Sequence, residues 1–471
     1  MSARTTFQNA SLAPRALFCQ NDSSQPQCKS PRLRNYMAEE QTTTVNRHRC
    51  SDINEATNDL GHMEGGTSTS LRETEHSTSE CHELQTIRQS RYMMQDDSCY
   101  TSRSKLRFKE RLHHFTWAWF TLPMSTGGLS LLIFAQPHQF AGLRSIGFSI
   151  YVANILIFVM VTGLIAARFL VHPGDMSTSI KHPREGFFVP TFFLSIATLI
   201  TSTSRYAIPA SDVGLIWAIR GAFWAYLVAT LLLAVGQYSF VFATHSFGLD
   251  TMMPTWILPI FPVMLSGTIA SVIAANQPDI SAVSIIVAGL TCQGLGFAVA
   301  IMMYTHMVGR LMQAGLPNRE HRPGLFMCVG PPAFTALAIL GMANGLPNDV
   351  DPDMDGQVFD QGIIRTIALM SAIFLWALSL WWFGIACLAV IQAPPKFFHL
   401  GWWAMIFPNT GFILATISIA NELRSEGVKW VATGMSVLLL LMYCFVFYNH
   451  VRAVLDKDIM YPGRDEDVED H

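Results

Sequence analysis

The sequence predicts an all-α polytopic membrane protein, in which ten transmembrane helices form five helical hairpins around a central pore with pseudo-fivefold symmetry. Three observations predict this fold. The 471-residue chain is 50% hydrophobic and only 14% charged, whereas about a quarter of a soluble protein is charged. Its charge-free stretches reach the roughly 20 residues that cross a bilayer as a helix. A proline also recurs in every second helix.

The apolar stretches divide the chain into ten predicted helices. The third of them is the shortest and has the weakest apolar signal. We number them span 1 to span 10, at residues 115–135, 146–170, 187–204, 214–244, 254–276, 281–309, 324–343, 361–391, 402–421 and 429–452.

The two ends of the chain differ in composition from the membrane part. Residues 1–105 are rich in Ser, Thr, Gln, Asn and Glu, and such a segment buries too little apolar surface to fold. We therefore expect a disordered cytosolic tail at 1–105, a ten-helix transmembrane domain at 106–455, and a short acidic cytosolic tail at 456–471.

The charged loops predict the orientation in the membrane. Five basic residues lie between Arg103 and Arg111, directly before span 1, whereas the loop between spans 7 and 8, NGLPNDVDPDMDGQVFD, is acidic and lacks Lys and Arg. Because basic loops stay on the cytosolic side, both termini are expected in the cytosol. An even number of spans fits this orientation.

A proline recurs in the odd-numbered spans at intervals of 67 to 77 residues. A proline inside a helix removes a backbone hydrogen bond and bends the helix. In a bilayer the freed carbonyl needs protein or water, so the odd spans are expected to surround a shared, partly wet axis. The predicted kinks lie at Pro123, Pro190, Pro262, Pro331 and Pro408.

The residues after these prolines are small or carry hydroxyl groups, and the odd spans contain no Asp or Glu. Cation and proton pathways in membranes usually need acidic residues, whereas hydroxyls and backbone dipoles suit an anion. The predicted pore-lining, substrate-binding residues are Ser125, Thr126, Ser195, Ser266, Thr268, Thr335, Asn409 and Thr410.

Two arginines lie several residues inside apolar runs at matching positions of spans 4 and 8, namely Arg220 and Arg365. With Arg144 and Lys429 they could give an outer vestibule a positive potential that attracts anions. The alternative is that these side chains reach the membrane interface or form salt bridges there.

Other classes of function find little support in the sequence. The nine cysteines show no metal-ligand spacing, and no catalytic triad, nucleotide loop or carboxylate pair is evident. We therefore expect no metal, no cofactor and no enzymatic activity. The net charge of −3 offers no basic groove for nucleic acid.

Four motifs resemble the tellurite-resistance/dicarboxylate transporter family, which belongs to the slow anion channel superfamily, and within it the fungal malic acid transporters. They are RLHHFTWAWFTLPMSTGGLSLLI at 111–133, QPHQFAGLRSIG at 136–147, THSFGLDTMMPTWILPIFPVMLSGTIAS at 244–271 and WWAMIFPNTGF at 402–412.

The resemblance implies a homotrimer of ten-helix chains in the plasma membrane that transports malate and related C4-dicarboxylates, linked to protons. The bilayer and the dicarboxylate are thus the expected partners. It also implies that Phe407, in the WWA-x-x-F-P setting, blocks the pore, although Met405, Ile406 and Asn409 depart from the channel members. Alternatives are a passive channel for small inorganic anions, a sulfite efflux protein, and a location in the mitochondrial inner membrane.

Overall fold

The chain is an all-helical, multi-pass membrane protein. The computed structural model describes residues 107–182, 184–208, 212–244, 248, 251–347 and 360–461. In these residues nine helices are long and apolar enough to span a membrane, and Phe261–Asn276 is a shorter apolar helix. Each of the ten predicted spans corresponds to one of them. The predicted tail at 1–105 lies outside the described residues.

The even-numbered spans are long, uninterrupted α-helices. Spans 8 and 10 begin at side-chain caps, where Asp360 accepts hydrogen bonds from two backbone N–H groups and Ser425 accepts one. The bounds are Leu143–Val171 for span 2, Val213–Thr244 for span 4, Asp279–Ala314 for span 6, Gln361–Gln392 for span 8 and Glu426–Leu455 for span 10.

The odd-numbered spans are built differently, because each begins with a 3-10 helical segment and continues as an α-helix. Two further short helices, Phe108–His113 and Asp175–Lys181, precede spans 1 and 3. The paired segments are Trp117–Phe120 with Thr121–Phe134, Glu185–Phe188 with Val189–Tyr206, Pro254–Ile257 with Phe261–Ile273, Arg319–Val329 with Gly330–Asn344, and Leu400–Met405 with Phe407–Glu422.

The odd spans form a closed inner ring and the even spans surround it. Each odd span contacts the next one along the chain, and span 9 contacts span 1. The apolar windows of the long odd spans are 67–94% buried, against 17–39% in the even spans. Because the even spans are apolar all round, their exposed faces suit lipid.

The prolines lie elsewhere in their helices than the sequence suggested. We expected them in helix interiors, but each lies in the first turn of its α-helical segment, directly after the 3-10 segment. The first N–H groups of an α-helix have no partner within it, so a proline there removes no α-helical hydrogen bond. The prolines therefore mark a junction between two helix types.

Each even span is joined to the following odd span by a hydrogen bond that involves an aromatic side chain. The Tyr hydroxyl or Trp indole of these side chains crosses from the outer to the inner ring, and the last bond joins span 10 to span 1. The pairs are Tyr151 with Thr203 (2.8 Å), Tyr226 with the Pro262 carbonyl (3.0 Å), Tyr304 with the Cys328 carbonyl (2.6 Å), Trp376 with Thr416 (2.8 Å), and Tyr443 with Thr126 (2.8 Å).

The first residues of the predicted C-terminal tail pack against the domain. Ile459 and Met460 are buried, and the Arg111 guanidinium lies 5.4 Å from the centre of the Tyr461 ring. Described residues of the predicted tail, as far as Tyr461, therefore contact the helices, and residues 462–471 lie outside the described residues.

The contact between spans 5 and 6 predicts a stability effect. A Cβ added at Gly296 would lie 2.6 Å from Met264 Cβ and 2.9 Å from Met264 Cα, whereas a Cβ added at Gly294 would have no atom within 4 Å. We expect Gly296→Leu to lower the free energy of unfolding by about 1–3 kcal/mol, through overpacking. Gly294→Leu is the matched control. Equal thermal stability of the two purified variants would contradict this packing.

His399, directly before span 9, predicts a dependence of stability on pH. Its Nε2 donates to the Glu320 carbonyl, and burial lowers the pKa of the ring to about 4. The pKa of a histidine in the unfolded chain is about 6.5. The stability that comes from keeping the His399 ring neutral and buried is therefore complete above pH 6.5. It is lost as the pH falls towards 4, by at most about 1.4 kcal/mol per pH unit.

The variant His399→Gln keeps a donor but does not titrate, so its stability should fall less steeply than that of the wild type between pH 6.5 and 4. Thermal unfolding of both proteins across this range measures the difference. Identical slopes would show that His399 does not carry this pH dependence.

Candidate functional site

A small cavity lies inside the inner ring, next to the proline junctions. Its volume is about 20 Å³, which is room for about one water molecule. The side chains around it are mostly apolar. All five odd spans contribute to its wall, including Thr121, Phe188, Thr191, Phe261, Met327, Ala404 and Phe407.

Three phenylalanine rings meet beside this cavity. Phe407 is 2% exposed, and its ring stacks on Phe334, with centroids 5.0 Å apart and planes at 26°. Phe261 lies edge-on to both, at 6.1 Å from Phe407 and 5.7 Å from Phe334. The cluster joins spans 5, 7 and 9, and such offset and edge-on geometries are the favoured ones for aromatic rings.

Glycines make room for these rings. A Cβ at Gly128 of span 1 would lie 3.3 Å from Phe407 Cδ2, and a Cβ at Gly411 would lie 2.6 Å from Phe334 Cε2. Phe407 therefore packs against span 1 as well as spans 5 and 7. A ring in this position fills the space between four of the five inner helices.

Four of the predicted pore-lining residues use their hydroxyls within the protein. Thr126 bonds to Tyr443 of span 10, and Thr335 accepts from Gln293 of span 6 (2.7 Å), so both point towards the outer ring. Ser195 donates to the Phe120 and Thr191 carbonyls, and Thr410 donates to the Ile406 carbonyl. Their roles as pore-lining groups stay predictions.

The other four predicted residues have a buried polar atom without a hydrogen-bond partner among the described residues. These atoms are Ser125 Oγ, Ser266 Oγ, Thr268 Oγ1 and Asn409 Oδ1. Buried polar atoms nearly always have a partner in the protein or in water. These four residues therefore have an unused hydrogen-bonding group, but none of them is among the residues that line the central cavity.

The two predicted anion-attracting arginines lie on outer helices and are not brought together. Arg220 donates to Ser281 at the start of span 6 and lies 5.5 Å from the Trp217 ring centre. Arg365 is exposed on span 8. Both arrangements match the interfacial alternative better than a shared vestibule.

Some residues of the site were not predicted. Phe261 stands before Pro262 just as Phe407 stands before Pro408, so comparison of the repeats could have found it, whereas Phe334 has no such signal. Arg205 was also missed. Among the described residues it is the one Lys or Arg in the α-helical segments of the inner spans.

Arg205 lies at the end of span 3 away from the N-terminus of the domain. Its guanidinium and that of Arg144 lie 5.7 and 5.2 Å from the centre of the Phe134 ring. Two positive charges therefore flank this ring at the far end of spans 1 and 3.

A buried ion-pair network lies at the opposite end. Arg168 Nη1 contacts Glu185 Oε1 at 2.6 Å, and its Nε is 3.5 Å from Asp175 Oδ2, which also contacts His113 Nδ1 at 2.6 Å. The potential ligand atoms of His113, His172 and Asp175 lie within 4.8 Å of one another. The nearby guanidinium disfavours a cation there, so the geometry is that of an ion-pair network.

Comparison with known proteins agrees with this architecture. Residues 114–451 match the family described as voltage-dependent anion channel (SLAC1). The chain is 35% identical to the malic acid transport protein of Schizosaccharomyces pombe, over 76% of this chain and 83% of that protein. It is 32% identical to a putative malic acid transport protein of the same yeast, over 78% and 85%.

A more distant relative is named for a different transport activity. The sulfite efflux pump of Trichophyton rubrum is 24% identical over 74% of this chain and 93% of its own length. Family members are channels and transporters rather than enzymes. The family match covers most of the chain and includes all ten helices, and the chain therefore belongs to the SLAC1 family of membrane transport proteins.

Proposed function

We propose that the protein transports malate and related C4-dicarboxylates across the plasma membrane. The observation that carries this proposal is the similarity to two malic acid transport proteins at 35% and 32% identity over more than 80% of their lengths. The sulfite efflux relatives are less similar, at 24–26% identity. We also propose that both termini lie in the cytosol, as the basic loops favour, and that the protein is a homotrimer, as the family resemblance suggests.

The proposed path runs along the axis of the inner ring. Ser125, Ser266, Thr268 and Asn409 supply polar atoms that are free to contact a solute, and donors without fixed negative charge favour an anion. Arg144 and Arg205 at the far end add a positive potential that raises the local anion concentration. The cluster of Phe261, Phe334 and Phe407 closes this path in the described state.

Linkage to protons is proposed to occur through the substrate, which would travel as a monoanion. Among the described residues, Glu422 is the one Asp or Glu in the α-helical segments of the inner spans, and it is the last residue of span 9. Its carboxylate accepts a hydrogen bond from the Asn344 side chain (2.6 Å). Acidic residues inside the membrane normally mark proton relays. The middle of the path therefore offers no carboxylate to carry the proton.

One test of the proposed path concerns its gate. Phe407→Ala should increase flux because it removes the ring that fills the space between spans 1, 5, 7 and 9. Phe412→Ala is the matched control, since Phe412 is equally buried on the same helix but stacks on Trp376 of span 8, with centroids 5.5 Å apart. Both variants should lose about 3–5 kcal/mol of stability.

Uptake by proteoliposomes distinguishes the two variants. If Phe407 closes the path, malate flux rises in Phe407→Ala and stays near the wild-type level in Phe412→Ala. Wild-type flux in a correctly folded Phe407→Ala protein would remove this residue from the gate.

Another test of the proposed function concerns the substrate and its coupling to protons. The reconstituted protein should take up labelled malate and succinate with saturation, and an inward proton gradient should accelerate uptake. At constant monoanion concentration the rate should be independent of pH. A strong remaining pH dependence would instead point to a titrating residue such as a histidine.

The same experiment tests the alternatives. Chloride current that rises linearly with driving force without saturation would favour the passive channel, which the family description suggests. Sulfite flux without malate flux would favour the efflux function of the more distant relatives.

A further inference from the structure

A second cavity lies outside the inner ring, between the beginning of span 3 and the last third of span 4. It is an apolar groove of about 330 Å³, lined by side chains such as Ile180, Phe187, Leu232, Leu233, Phe240 and Val241. It opens on the outer surface of the helix bundle, where a mainly apolar wall faces lipid rather than water.

The groove has the length of one leaflet. The lining residues on span 4 run from Leu232 to Val241, which at 1.5 Å per residue is about 14 Å. The hydrocarbon core of a bilayer is about 30 Å thick, so the groove covers about half of it. Span 4 ends at Thr244 on the side where span 1 begins, which places the groove in the leaflet next to the N-terminus of the domain.

The end of the groove nearest the membrane surface is polar and basic. Lys181 and His182 form this end, and Lys181 makes no ion pair with a carboxylate of the described residues. His182 Nδ1 accepts from the backbone N–H groups of Arg184 and Glu185. The neutral ring therefore carries its proton on Nε2, which is a donor.

We propose that this groove is a binding site for an anionic phospholipid of the leaflet next to the N-terminus of the domain. One acyl chain lies along the apolar wall, and the phosphate accepts from Lys181 and His182. Basic pockets between helices on the cytosolic side of a membrane are suited to anionic head groups. A wall of apolar protein side chains would cover the apolar surface but would leave the Lys181 ammonium and the His182 Nε2–H without an acceptor.

One chain segment borders both the groove and the central cavity. Gly186, Phe187 and Val189 form part of the groove, and Phe188, between them, lines the central cavity on the other side of the same segment. Gln237, which also lines the groove, donates to the Gly186 carbonyl (2.6 Å) and has an unpartnered Oε1. A bound lipid therefore contacts the outer side of a segment whose inner side forms the wall of the path.

Glycines on span 4 provide a sharp test. Gly236 lines the groove and Gly221 does not, and a Cβ added at either would meet no atom within 4 Å. Gly236→Leu should fill the groove without straining the protein, and Gly221→Leu is the matched control. Lys181→Gln removes the charge while leaving the groove open.

The measurement is binding of phosphatidylserine and phosphatidylcholine to the purified full-length chain, by native mass spectrometry and by the shift in thermal unfolding. The wild type and Gly221→Leu should prefer phosphatidylserine by about fivefold in dissociation constant, as expected for one lysine near the surface. Lys181→Gln should bind both lipids equally, and Gly236→Leu should lose this binding.

Three results would overturn the proposal. They are equal binding of the two lipids by the wild type, unchanged phosphatidylserine binding in Gly236→Leu, and a disulfide between chains in a Phe240→Cys variant that the wild type does not form. The last result would place a second copy of the chain in the groove. None of these outcomes depends on which anion the protein transports.

Discussion

The constraint on which the inner ring depends is that no backbone carbonyl can be left without a donor inside a membrane. At span 7 the Cys328 carbonyl lies three and four residues before Pro331 and Pro332, so neither of the usual N–H donors exists. Tyr304 of span 6 donates its hydroxyl instead, at 2.6 Å. Other carbonyls three or four residues before a proline also receive a side-chain donor: Gly186 from Gln237, Phe120 from Ser195 and Met405 from Asn409.

These donors explain why the broken helices form a ring rather than separate hairpins. Gln237 and Tyr304 belong to outer helices, so the 3-10 segments of spans 3 and 7 are completed only when spans 4 and 6 pack beside them. Phe261 and Phe407 stand immediately before their prolines. Two rings of the aromatic cluster thus sit at the point where each inner helix changes type, and a small rotation at that point moves the ring directly.

The sequence was informative about the helices because apolar length and the absence of charge are decided locally. All ten spans appear within a few residues of their expected bounds, but in the odd spans the α-helical segment starts later than expected because a 3-10 segment precedes it. Proline spacing also revealed which helices are inner. It misplaced the prolines within the helices, since a proline in a first turn and one in an interior look alike in sequence.

The direction of individual side chains could not be predicted in the same way. A 3-10 segment turns each residue by about 120° and an α-helix by about 100°, so the rotation accumulated before Thr126 or Thr335 depends on where the junction lies. Thr126 faces Tyr443 of the outer ring, and Thr335 faces Gln293. The cluster partner Phe334 was missed because its contact with Phe407 joins two distant parts of the chain.

The bond that joins span 10 to span 1 also has a consequence for how the chain is made. Thr126 leaves the ribosome early, but its partner Tyr443 on span 10 follows 317 residues later. The span 10 partners of Gln136 and His138 follow 300 and 295 residues later. Until then the nascent bundle has an open seam between its first and last helices. The ring therefore closes only after span 10 has been made, and a chain that stops short of span 10 leaves this seam open.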